Sequence, residues 1–143
     1  MTETKKPTAL FWVIAIVALV WNIFGVLAYL GQAFMTEETL KMLPTAEQEL
    51  YAATPSWVTA AFAIAVWFGL LGSIALLIKK RFAYPLFLLS LLGVIGQQVY
   101  SYFLSDTLEV YGNQAIIMPV IVLILSIVFV WYSKKSIQEG ILK

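Results

Sequence analysis

The chain has no cysteine and no histidine. Without cysteine there is no disulfide framework, no thiolate metal site and no cysteine nucleophile. Without histidine, the commonest metal ligand and the usual general base near neutral pH are missing too. Charge is also scarce: Asp, Glu, Lys and Arg make up 12% of the 143 residues, about half the ~25% of an average soluble domain. So little polar surface cannot solvate a compact globule of this size, which excludes a soluble enzyme. A disordered tail would need still more charge. The formal net charge of +1 leaves no electrostatic footprint for nucleic acid. Apolar residues make up 62% of the chain, against ~45–50% in soluble proteins. The class that remains is an integral membrane protein whose main partner is the lipid bilayer.

Charge-free windows give the organisation. Pro7–Thr36, Leu50–Ile78, Phe82–Ser105 and Val110–Ser133 contain no Asp, Glu, Lys or Arg. A hydrocarbon core of ~30 Å needs ~20 helical residues, so each window is long enough to cross once. Helices are required because hydrocarbon offers no partner to an unpaired backbone amide. Barrel strands would alternate polar and apolar residues, and the run Ile116 to Leu123 does not. The expected fold is all-α: an integral membrane four-helix bundle, one transmembrane domain over 1–143, with spans near 9–33, 57–78, 82–104 and 114–133. The first span carries Gly31-Gln32-Ala33, small residues of the kind found at signal cleavage sites. Its apolar stretch far exceeds the ~7–15 residues of a signal, so an uncleaved span is expected.

Basic residues set the orientation. Lys5, Lys6, Lys79, Lys80, Arg81, Lys134, Lys135 and Lys143 fall on one side of the spans, and Lys41 alone on the other. Glu37, Glu38, Glu47, Glu49, Asp106 and Glu109 share the side of Lys41. The positive-inside rule therefore places both termini and the 79–81 turn in the cytoplasm. Trp12, Trp57 and Trp131 lie near span ends, where aromatic belts form. The loop over 34–56 reads as two short helices at the outer surface. Thr36 before Glu37 and Glu38 is one start signal, and Thr45-Ala46-Glu47-Gln48 has the spacing of a capping box. Such a loop serves as a connector packed on the helix ends or as a lid. Its glutamates, with Lys41 among them and no calcium-loop spacing, read as a solvated acidic face.

No Asp, Glu, Lys or Arg lies inside these spans. Proton- and ion-coupled pumps rely on such groups, so their absence argues against a proton-coupled exporter and against charged substrates. The neutral polar residues are few and deep. Trp21 and Asn22 sit near the centre of the first span, Trp67 at similar depth in the second, and Gln97 and Gln98 in the outer half of the third. Ser90, Gln97 and Ser101 share one helical face. Amides beside aromatic faces suit neutral sugars and polyols, which makes Asn22, Trp21, Trp67, Gln97 and Gln98 the candidate substrate-binding residues. The same amides also tie transmembrane helices together. Ala61, Ala65, Gly69 and Ser73 form a small-residue face on the second span, and Gly93 and Gly96 thin the third. Pro85 and Pro119 fall early in the third and fourth helices, with Pro119 deep enough to bend its helix. Residues 22–28 align loosely with 90–96, and the lysine pairs 79–80 and 134–135 follow the next spans, as two parallel repeats would.

Four motifs carry a resemblance: Trp21-Asn22-x-x-Gly25, Thr54-Pro55-Ser56-Trp57, Ala115-Ile116-Ile117-Met118-Pro119 and Trp131-Tyr132-Ser133-Lys134-Lys135. Together they resemble a family of small bacterial four-helix inner-membrane proteins commonly catalogued as sugar transporters, and the similarity covers nearly the whole chain. The resemblance implies a bacterial inner membrane and sugar transport, without a site to carry over. Two functions follow from the residues. One is a passive carrier of a small neutral solute, working as a homodimer because four helices seldom enclose a sugar-sized path. The other is a non-transporting accessory or scaffold protein whose outer loop binds a protein partner. A membrane enzyme is disfavoured because no acid–base or metal constellation exists at membrane depth. The residues call for no cofactor.

Overall fold

The computed structural model describes residues 6–104, 109, 110, 112 and 114–143. Lys5 and Asp106 of the charge pattern lie outside the described residues. Four helices are long and apolar enough to cross a membrane, and the fold is an all-α four-helix bundle. Helix α1 (Ala9–Ala33) opens at Thr8, whose hydroxyl accepts the Phe11 N–H at 3.1 Å. Two short helices follow, α2 (Glu37–Lys41) and α3 (Thr45–Ala53). Helix α4 is Ser56–Leu77, and α5 is Ala83–Val99, running on into a π-helical turn, Tyr100–Leu104. Helix α6 spans Gln114–Gln138.

The expected spans agree to within one residue with α1, with α4 and with α5 taken together with its π turn, and α6 runs five residues past its expected end. A helix need not stop where the hydrocarbon does. Lys134 and Lys135 sit in the last turns of α6, and the Lys135 ammonium lies 5.2 Å from the Trp131 ring centre. Cations there also complement the helix dipole. The helix ends only at Gly140, with φ 81°. The Ile141 N–H donates to Ser136 O at 2.9 Å and the Gly140 N–H to Ile137 O at 3.1 Å, the two bonds of a Schellman cap. Helix α4 closes with the same pair of bonds, Lys80 N–H to Ala75 O and Lys79 N–H to Leu76 O, around Lys79 at φ 60°. The matching positions are thus Lys79 and Gly140. The two lysine pairs are not equivalent, and that part of the repeat pattern fails.

Thr36 caps α2 as expected, accepting the Thr39 N–H at 3.2 Å. The capping box at α3 does not form. Pro44 occupies the cap position and has no N–H for a reciprocal bond, so Thr45 is already helical. The Gln48 amide donates instead to the Leu43 carbonyl at 2.7 Å. The loop is held down at the π turn, where the Tyr100 hydroxyl donates to Ala53 O at 3.3 Å and Trp57 meets Tyr100 edge to face at 5.7 Å.

Packing runs in one direction around the bundle: α1 on α4, α4 on α5, α5 on α6. The α4–α5 contact is the tightest, and Gly93 sets it. A Cβ at Gly93 would stand 2.7 Å from both Ala61 O and Ala65 N, so the α5 backbone lies directly on that of α4. One turn earlier, the Ser90 hydroxyl donates across the contact to Ala65 O at 2.5 Å. Lipid tails are as apolar as leucine, so such close approach and interhelical hydrogen bonds carry the association. At the end that holds the basic residues, Phe11, Ala75, Leu76, Ala83, Phe87, Phe129 and Tyr132 form a buried core. Ile141 and Leu142 are buried in it as well. They are held by a strap in which Lys143 N–H donates to Lys79 O at 3.0 Å and Arg81 N–H to Lys143 O at 3.2 Å. The basic end is closed.

Gly93→Ala is expected to destabilise the protein by about 1–3 kcal/mol, because backbone cannot yield as a side chain can. Gly31 has nothing within 4 Å of the place where a Cβ would stand and should accept alanine without loss. Thermal unfolding of both variants in detergent micelles makes the comparison.

Candidate functional site

The bundle that is dense at its basic end holds a cavity of about 430 Å³ nearer the loop end, with lining residues from all four spanning helices. That volume falls within the ~300–1,000 Å³ of small-molecule sites. Helix α1 supplies Trp21, Asn22, Phe24, Gly25 and Ala28; α4 supplies Phe62, Ala65 and Val66. Helix α5 contributes Ser90, Val94, Gln97, Gln98 and, in the π turn, Ser101, while α6 contributes Met118, Pro119, Val122 and Ser126. The walls are mainly apolar, with polar groups at a few points. Helices α1 and α6 meet through Phe11 and Tyr132 at the basic end, ring centroids 6.3 Å apart. Among the described residues no comparable packing joins them beside the cavity, so those residues leave that side unsealed.

Asn22 forms the floor and is only 8% exposed. Its amide nitrogen donates to Ala18 O at 2.8 Å and to Ser73 Oγ at 3.1 Å. Ser73 in turn donates to Gly69 O at 2.8 Å, so α1 and α4 are tied through a chain of three groups. The Asn22 carbonyl oxygen stands where a side chain on Gly69 would begin, beside the Ser90 hydroxyl. Gly69 is therefore the residue that lets the amide sit between the helices. Higher in the cavity, the Gln98 amide donates to the Pro119 carbonyl at 2.7 Å, which ties α5 to α6. Pro119 lies inside α6, which continues through it. Gln97, its neighbour, bonds to no described residue, although it lines the cavity and is only half-buried.

Four of the five expected site residues thus come together: Trp21, Asn22, Gln97 and Gln98. Trp67 does not join them. It is 40% exposed on the outside of the bundle, where its ring meets Tyr29 at 6.5 Å. The reason is angular: Ala65 and Val66 take the cavity-facing positions of α4, and one further residue, ~100° on, points away. Depth in the sequence was a guide to height in the membrane but not to direction around the helix. Sequence reasoning also overlooked the α6 wall. Met118, Val122 and Ser126 recur every four residues, and Ser126 is a lone hydroxyl in an otherwise apolar stretch, which was the available signal. No residue of the 34–56 loop lines the cavity, which favours the connector role for that loop over the lid. Among the described residues, no three His, Cys, Asp or Glu side chains converge to hold a metal ion.

No family model matches the chain, and no curated protein or solved structure is significantly similar to it.

The hydrogen bonds separate the three amides. Asn22→Ala and Gln98→Ala each remove a tie between helices and should lower stability by about 0.6–2 kcal/mol. Gln97→Ala should stay within ~0.5 kcal/mol of the parent, as a change away from any packed contact does. Equilibrium unfolding in micelles reads all three. A Gln97 variant as unstable as the Gln98 variant would place a structural partner on Gln97.

Proposed function

We propose that this multi-pass membrane protein is a passive carrier of a small neutral solute such as a sugar, entering the cavity between α1, α4, α5 and α6. The observation that carries this reading is the Gln97 amide, which bonds to no described residue and lines a cavity of about 430 Å³ at membrane depth. A polar group there that bonds no protein partner needs water or a ligand, because hydrocarbon supplies neither donor nor acceptor. Trp21 adds an aromatic side chain to the same cavity, and among the described residues no charged side chain lines it, which suits an uncharged solute. In this reading the strap and core at the basic end are the closed gate and the loop end is the open one. The resemblance of the four motifs to small bacterial membrane proteins catalogued as sugar transporters supports the same reading. By the positive-inside rule the excess of Lys and Arg at one end supports cytoplasmic termini, and the family resemblance supports a bacterial inner membrane. A second copy set against the unsealed α1–α6 side would complete the wall, as a homodimer.

A second reading has its own observation. The Asn22 and Gln98 donors are engaged by protein carbonyls and a hydroxyl, as they would be in an accessory or scaffold protein whose polar residues only fasten helices. Under that reading the outer loop, with its exposed Glu37, Glu38 and Glu49, is the part that meets a partner.

Counterflow of labelled glucose, xylose and mannitol into proteoliposomes separates the two. Saturable uptake that falls at least tenfold in Gln97→Ala, with folding retained, is the expected result. Uptake no greater than in empty liposomes for all three solutes would leave the scaffold reading.

A further inference from the structure

The height of the cavity's open side decides what can enter through it. Phe11 and Tyr132 meet at the basic end, next to Lys6 and Lys134 where the apolar runs stop, and so fix α1 and α6 in relative height. Phe24 lies thirteen residues up α1 from Phe11, and Met118 fourteen up α6 from Tyr132. At ~1.5 Å per residue both stand ~20 Å above that contact. Both line the cavity, yet Phe24 is 64% exposed and Met118 56%. They are the two rims of an opening, and the exposed Ala28 continues the α1 rim one turn higher. A hydrocarbon core is ~30 Å thick, so this mouth faces lipid tails, in the half of the bilayer at the loop end. Asn22, eleven residues above Phe11, puts the floor ~16 Å up, near the bilayer centre. Gln98 reaches Pro119, the neighbour of Met118, so the α5 amides stand level with the mouth.

From this geometry we infer that the cavity takes a ligand sideways from the bilayer. It is a binding site for a neutral one-chain amphiphile, whose polar head passes between Phe24 and Met118 while its hydrocarbon chain stays in lipid. The inference goes beyond the carrier reading, shares only the cavity with it and holds without transport. Inside, the head meets the Gln97 amide, which bonds to no described residue, and the Asn22 carbonyl oxygen, with Gln98 nearby. These groups offer donors and acceptors alike, so a small hydrogen-bonding head is satisfied there as it is not in hydrocarbon. Among the described residues no charged side chain lines the cavity, so an ionised head would stay unpaired at that depth, which is strongly disfavoured. The flanks of the mouth favour lipid over a second bundle as its cover. Val17, Val20 and Leu27 on α1 and Ile117, Ile121 and Ile124 on α6 are all large and exposed. Helices in a bilayer associate through small residues that let backbones approach, and these bulky rows keep another helix away while a flexible chain threads between them. Here the inference departs from the homodimer of the carrier reading: the missing wall is the chain of the ligand itself.

The test places the full chain in phosphatidylcholine nanodiscs with a monoacylglycerol that carries a photoactivatable diazirine in its chain. Peptide mass spectrometry then locates the label. Label concentrated on the stretches 24–28 and 118–122, and reduced at least tenfold by unlabelled monoolein, is the expected result. An anionic lysophosphatidylglycerol with the same photoactivatable chain should label those stretches at least fivefold less. Ala28→Trp, which sets a ring across the mouth, should cut the label at least fivefold at an unchanged unfolding temperature. Leu71→Trp, at an exposed position of α4 that does not line the cavity, should not. Label spread evenly over the lipid-facing helices and insensitive to monoolein would overturn the inference. So would a disulfide-linked dimer formed through Met118→Cys in this cysteine-free chain, because a second copy would then cover the mouth. Counterflow separates the two readings. Sugar uptake without competed label leaves the carrier and removes the lateral site, and competed label without uptake does the reverse.

Discussion

The backbone contact between α5 and α4 at Gly93 is the constraint from which the rest of the bundle follows. With a hydrogen for a side chain, Gly93 lets Ala61 O and Ala65 N lie 2.7 Å from where a Cβ would be. That approach brings Ser90 within reach of the Ala65 carbonyl. It also seats Phe87 against Gly72, whose own Cβ would meet the ring at 2.9 Å. Within a bilayer no hydrophobic gain rewards helix pairing, so small residues and interhelical hydrogen bonds have to supply it. Helix α4 is consequently the spine, and it buries the largest share of its span. Helices α1 and α6 are attached to either side of the α4–α5 pair and are not fastened to each other along their length.

That attachment explains why the bundle is dense at one end and hollow toward the other. At the basic end large rings fill the space: Phe11 against Tyr132, and Phe87 against Phe129 at 5.5 Å. Ile141 and Leu142 fold back beneath them, held by backbone bonds to the 79–81 turn. Beside and above Asn22 the lining includes the small residues Gly25, Ala28, Ala65 and Ser90, which leave part of the gap between four helices unfilled. The polar floor marks the change. A buried amide tolerates hydrocarbon only when its groups are paired, and Asn22 pairs its donors with α1 and α4 while leaving its oxygen at the bottom of the cavity.

The donor and acceptor balance of the cavity is a by-product of the same pairing. Serine hydroxyls in spanning helices commonly donate to a carbonyl one turn back, as Ser73 and Ser126 do to Gly69 O and Val122 O. Once helix carbonyls have taken those protons, these hydroxyls keep only acceptor oxygens. Gln97 bonds to no described residue, because it sits one residue before the amide that reaches α6 and so points to a different side of α5.

Sequence alone determined the class, the number of spans, their ends to within a residue for the first three, and the two short loop helices. Those features depend on length, hydropathy and capping, which are local and additive along the chain. It also placed Trp21, Asn22, Gln97 and Gln98 at cavity height, because depth in a membrane helix is a matter of counting residues from the interface. What only the tertiary structure decided is direction and partnership. Trp67 turned outward because the rotation of α4 was fixed by Gly69, Gly72 and Ser73 packing on their neighbours. Asn22 and Gln98 became ties, and Gln97 found no partner among the described residues, because a hydrogen bond between helices depends on small differences in distance set by contacts such as Gly93 on Ala65. The fourth helix ran past its lysines to Gln138 because its end was set by a backbone cap at Gly140 and a strap to a distant turn, not by where the apolar run stopped.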